Sequence, residues 1–88
     1  SIQMNAPTLN TMKQLAMANS CPFYLDESSK NCVHVKDSRG LTVFLESFME
    51  FPDEMPAHAK ESVIETARAV GNLLVAISDS EFMKHPHS

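Results

Sequence analysis

The sequence predicts a small single α+β domain, ordered helix, β-hairpin, helix and long C-terminal helix, with the helices packed on one face of a short antiparallel sheet. Three observations carry the prediction. Apolar residues recur at Val63, Ala67, Val70, Leu74 and Ile77, the alternating four-and-three spacing of an amphipathic helix. Phe23-Tyr24-Leu25 and Cys32-Val33-His34-Val35-Lys36 alternate instead with a period of two, around a polar stretch of turn chemistry at 26–31. Pro22, the Asp37-Ser38-Arg39-Gly40 run, Pro52 and Pro56 punctuate the chain between these patterns.

The first helix is expected over 8–19. Pro7 and Thr8 supply its start, and Leu9, Met12, Leu15 and Ala16 form the apolar face while Asn10, Lys13 and Gln14 point away. It must end by Ser20, because Pro22 lacks an amide hydrogen and drives Cys21 towards an extended conformation. In the hairpin, Phe23, Leu25, Val33 and Val35 share the core face. Tyr24, His34 and Lys36 fall on the other, which is then either solvated or an interaction surface. Its pairing is expected to bring Cys32 near Asp26 and Cys21 near Asp37.

Residues 41–51 are ambiguous. Leu41, Phe44, Leu45, Phe48 and Met49 fit helical offsets, and Asp37 or Ser38 is available as a cap, so a helix is favoured. The β-branched and aromatic character of Leu41-Thr42-Val43-Phe44 keeps a strand over 41–45 as the alternative. The last helix is expected over 57–78, with Asp53 and Glu54 at its positive end and Asp79-Ser80 as its stop. Residues 1–7 are expected to be a disordered or processing-derived N-terminus, 8–81 the domain, and 82–88 a flexible tail.

At 88 residues the chain is long enough for one modest core, and its 43 % hydrophobic and 20 % charged residues are an ordinary globular balance. Net charge is −4 and the seven basic residues are scattered, which argues against nucleic-acid binding. No apolar run approaches the ~20 residues of a spanning helix, so no membrane association is expected. Cys21 shares the face of Phe23 and Cys32 that of His34, so two free thiols and a reducing, cytoplasmic setting are expected.

No motif declares an activity. Cys32 and His34 share a strand face but have no oxyanion motif beside them, so no catalytic residue is assigned. Glu54, His58, Glu61 and Glu65 form a stripe on the last helix that reads as a solvated face more readily than as a metal site, and His85 with His87 makes a poorly preorganised pair. Gly40 and Gly71 are too far apart for a phosphate loop, and neither cofactor nor metal is expected. Six methionines and Phe44, Phe48 and Phe51 suit core packing or a ligand-lined interior.

Association is the reading left. From Ala69 to Ile77 only Asn72 interrupts an apolar surface that runs almost all the way round the helix, and such a helix must be enclosed on every side. Ala69, Gly71, Leu73, Leu74, Val75 and Ile77 are therefore the expected interface of a homodimer, the competing arrangement being a central helix wrapped by the rest of the same chain. Tyr24 and His34 are a possible sheet-face contact. The expected function is that of a small non-enzymatic regulator, inhibitor or adaptor acting on another protein. The alternative is a small-molecule-binding or sensor module with a Phe/Met-lined interior.

Overall fold

The computed structural model describes residues 7–28, 32–48 and 51–84. Along the chain these form α1 (Leu9–Ala18), β1 (Tyr24–Asp26), β2 (Cys32–Lys36), β3 (Thr42–Ser47) and α2 (Ala57–Lys84). The fold is a small α+β domain with a three-stranded antiparallel sheet ordered β1-β2-β3, and the order helix, hairpin, helix stands.

Thr8 starts α1: its backbone is extended and its hydroxyl accepts from the Thr11 amide at 3.2 Å, satisfying one of the first-turn donors. Met12 and Ala16 are buried as the apolar spacing requires. At the far end the Asn19 amide and the Asn19 side chain both donate to the Leu15 carbonyl, at 3.1 and 3.0 Å. The chain then turns through a cis Cys21–Pro22 peptide into the sheet.

The hairpin keeps the expected faces: Phe23, Val33 and Val35 are buried and Tyr24 is exposed. Its register differs. Asp26 lies opposite His34 and Tyr24 opposite Lys36, so Cys32 is displaced by two residues from its expected place near Asp26. A two-residue slip preserves faces, whereas a slip of one would invert them.

The favoured helix over 41–51 is replaced by β3. The residue expected to cap it explains why. Asp37 is fully buried, and its Oδ1 accepts from the Arg39 and Leu41 amides at 2.9 and 3.0 Å, while the Asp37 amide donates to the Leu41 carbonyl at 2.9 Å. This closes a tight turn with Gly40 at φ 86°, a conformation natural to glycine, and sends the chain back beside β2. An irregularity in the ladder at Val35/Lys36 lets Val43 be passed over, so that Phe44 pairs with Val35 while Thr42 pairs with Lys36. Such a bulge produces consecutive half-buried residues, Val43 and Phe44, which imitates helical spacing in the sequence.

In α2, Ala67, Gly71, Leu74 and Ser78 are buried, at spacings that repeat four and three. Leu74 packs with Met12, Ala16, Phe23 and Val35; Ala67 belongs to a second cluster with Val33 and Phe48, and Leu25 touches both. Phe48 stacks on Phe51 at 5.7 Å between centroids. The helix does not stop at Asp79-Ser80 but continues to Lys84, which brings Glu81 and Phe82 to the rim of a pocket shared with the end of α1. The first three residues of the expected tail are thus helical, and 85–88, with His85 and His87, lie outside the described residues, as do 1–6. Glu54 sits in a turn before α2, so it does not join the stripe of His58, Glu61 and Glu65.

Candidate functional site

The six residues expected to form a helix interface divide into three groups. Gly71 and Leu74 are buried within their own chain. A Cβ at Gly71 would stand 2.7 Å from Leu25 Cδ1 and 3.3 Å from Val35 Cγ2, so the close approach that glycine allows is used by the chain's own sheet. Val75 and Ile77 are half-buried against the cluster that includes α1 residues. Only Ala69 and Leu73 are exposed, Leu73 at 49 %. The enclosure demanded by the apolar run comes largely from within the chain.

The opposite side of the sheet is different. Directly paired residues share a face, so the outer face carries Tyr24, Lys36 and Thr42 in one row, Asp26, His34 and Leu45 in the next, and Cys32 with Ser47 in a third. No described element packs there. Tyr24 is 45 % and Leu45 51 % exposed, and Leu41, at the foot of β3, is 53 % exposed. Among the described residues no further strand pairs with β3, which ends the sheet on one side with six residues, among which Glu46 is the one charge and proline is absent. The other edge, β1, has three residues and carries Asp26. Short, charged edges resist pairing with another strand; long apolar ones invite it.

The chemistry of this face is structural at its centre. Lys36 Nζ contacts Asp26 Oδ2 at 2.7 Å and the Ser28 amide donates to Asp26 Oδ1 at 2.9 Å, so both carboxylate oxygens are engaged. The Lys36 hydrogen bond, followed by that from Ser28, holds the Asp26 carboxyl well below the usual aspartate range, and Asp26 in turn pushes the Lys36 ammonium up. Cys32 Sγ lies 3.6 Å from His34 Nδ1. The carboxylate opposite His34 is the one committed to Lys36, so it does not complete a Cys-His-Asp relay.

A pocket of about 440 Å³ opens between the C-terminal ends of α1 and α2. Met17 and Phe82 supply apolar wall, while Asn19, Ser20, Ser38 and Glu81 bring polar groups to it and Cys21 lies at its side. Cys21 Sγ donates to the Ala16 carbonyl at 3.1 Å. Burial, then the negative charges of Glu81, Asp79 and Asp37, push this thiol up, away from the thiolate form that a nucleophile needs. Among the described residues no group of three or more histidine, cysteine or carboxylate side chains is placed to hold a metal ion.

Sequence reasoning found the outer face through its alternation and missed the pocket. Glu81 is expected only as the last residue of the domain, past the helix stop at Asp79-Ser80, and Phe82 as the first of the tail. The available signal was the continuation of the buried series Ala67, Gly71, Leu74, Ser78 to Glu81 at the same spacing, disguised because its last two members are polar.

Fold and surface together define a two-layer α+β domain with helices on one side of the sheet and, among the described residues, no element on its other face or beyond β3. Comparison with models of known families, with curated proteins and with solved structures gave no match. No helix among the described residues is long and apolar enough to cross a membrane.

Proposed function

We propose that this protein is a small non-enzymatic regulator or adaptor that works by binding protein, with a second copy of itself as the first partner, through the β3 edge and the adjoining outer face. The observation that carries this is the pair of half-exposed apolar side chains Leu41 and Leu45 at an edge strand with one charge, with Tyr24 exposed on the same outer face two strands away. Two β3 strands that pair antiparallel about Leu45 set Leu45 against its copy and Glu46 against Phe44, so no like charges oppose each other. The pairing would continue the sheet to six strands. It takes the place of a dimer through α2, whose apolar surface is mostly spent inside the chain. The free thiols Cys21 and Cys32 suit a reducing compartment such as the cytoplasm.

Sedimentation equilibrium tests the proposal. The expected mass is twice the 9.8 kDa of one chain. Leu45→Lys is expected to return it to a monomer with its far-UV spectrum unchanged, while Leu73→Glu leaves the dimer intact. A monomeric wild-type chain at high concentration overturns the dimer, and dissociation by Leu73→Glu alone restores α2 as its interface.

The pocket favours a second role, that of a ligand-binding or sensor module, since its volume lies within the roughly 300–1,000 Å³ of small-molecule sites and apolar walls converge there with polar groups. It is Met17 and Phe82, not Phe44, Phe48 and Phe51, that supply those walls.

A further inference from the structure

The pocket between the ends of α1 and α2 is built for one sign of charge. Two helices end there, and the C-terminal end of a helix carries partial negative charge on its last carbonyls. One of those carbonyls, that of Ala16, accepts from Cys21, and another, that of Leu15, accepts twice from Asn19. Glu81 adds a full charge. Its side chain is only 16 % exposed, and the cation beside it, Lys84, stands at 3.6 Å on a side chain that is 64 % exposed. That is a loose, solvent-screened pairing for a largely enclosed carboxylate. The guanidinium of Arg39 is held elsewhere, 2.8 Å from Asp37 Oδ2. The same negative field is felt by the Cys21 thiol, which burial and then Glu81, Asp79 and Asp37 push up.

We propose that this pocket binds a small organic cation, an alkylammonium or guanidinium group, with Glu81 as its counter-ion and Met17 and Phe82 along its apolar part. Phe82 brings an aromatic ring to the pocket wall, chemistry that suits a cationic head, and the thioether of Met17 adapts to an alkyl stem. Ser20, Ser38 and Asn19 provide oxygen acceptors for the remaining N–H groups. The proposal rests on the ligand-module role of the pocket and adds the class of ligand. A metal ion is poorly served by a single carboxylate, and an anion would be repelled by Glu81, whose one nearby cation, Lys84, is mostly in solvent.

Three four-carbon probes of different charge test it: n-butylammonium, n-butanol and butyrate. They are titrated into the ¹⁵N-labelled full chain, with the alkylation rate of Cys21 by iodoacetamide read against that of Cys32 as internal control. Saturable shifts at Ser20, Cys21 and Ser38 and slowed alkylation of Cys21 are expected with n-butylammonium and not with butyrate. Glu81→Gln is expected to weaken the ammonium by at least about tenfold, or about 1.4 kcal/mol. Met17→Trp, which fills the pocket and keeps Glu81, is expected to abolish protection of Cys21 even if the Gln variant proves unstable. Binding of butanol as tightly as the ammonium overturns the cation and leaves the pocket as a ligand site; absence of any response to all three overturns both. A capped lysine peptide that binds more tightly than n-butylammonium assigns the ammonium to a partner protein's side chain, and one that binds no better assigns it to a free amine; both results uphold the cation.

Discussion

Two single residues on α2 fix how closely the helix lies on the sheet. Ser78 is fully buried; its hydroxyl accepts from the Phe23 amide at 2.8 Å and donates to the Val75 carbonyl at 2.8 Å, which ties the start of the sheet to the helix. Ser78→Ala leaves that buried amide without its acceptor, and the expected loss is about 1–3 kcal/mol in urea unfolding at an unchanged m value. Gly71 sets two effects against each other. Alanine there would gain about 1 kcal/mol of helix propensity, but the new methyl meets Leu25 Cδ1 at 2.7 Å and Val35 Cγ2 at 3.3 Å. Leu25 is able to turn its end aside. Val35 is fully buried and stiff at its branched carbon, and overpacking of this kind costs roughly 1–3 kcal/mol. Gly71→Ala is therefore expected to lower the urea midpoint, and a raised midpoint would show that helix and sheet have room to part.

At the scale of the element, the Asp37–Leu41 turn decides the topology, because it converts an ambiguous apolar segment into the third strand. Burial acts to raise the Asp37 carboxyl, and the hydrogen bonds from the Arg39 side chain and from the Leu41 and Arg39 amides outweigh it, so the group sits below the usual aspartate range. A carboxyl depressed in the folded state contributes stability that is complete above the unfolded value, about 3.9, and is lost as pH falls through the folded one. Thermal midpoints are accordingly expected to hold steady towards neutral pH and to fall below about pH 4, with Asp26 contributing in the same sense. Asp37→Asn is expected to lower the midpoint at pH 7 and to flatten the acid limb. A variant with the wild-type acid limb would show that Asp37 is not the group being titrated.

Across the whole molecule, what was legible in the sequence is what local pattern determines. Thr8 and Pro22 bracket α1, and strict alternation puts Val33 and Val35 inward and Tyr24 and His34 outward, an assignment that the two-residue difference in register leaves unchanged. The third strand was legible only as the alternative over 41–45, because a bulge at Val43 copies helical spacing and because Asp37, a good cap by type, is used to close a turn. The pocket was hidden because its walls come from residues near 17, 38 and 82, which only the packing of α1 on α2 brings together. That packing also makes the molecule one cooperative unit. Leu74 is fully buried and joins Met12 and Ala16 of α1 to Val35 of the sheet, and Leu25 bridges this cluster to the one around Ala67. A helix of 28 residues is long enough to persist partly alone, so the question is whether α2 outlasts the sheet. Its apolar face has no shelter once Val33, Val35 and Leu25 leave it, so helix loss by far-UV circular dichroism and fluorescence of the single Tyr24 on β1 are expected to report one coincident transition. Leu74→Ala, at a cost of about 2–5 kcal/mol against the roughly 5–15 kcal/mol that holds a domain together, is expected to shift both curves by the same amount. A helix signal that survives past the tyrosine transition, in either protein, would mean that α2 draws its stability from something other than this sheet.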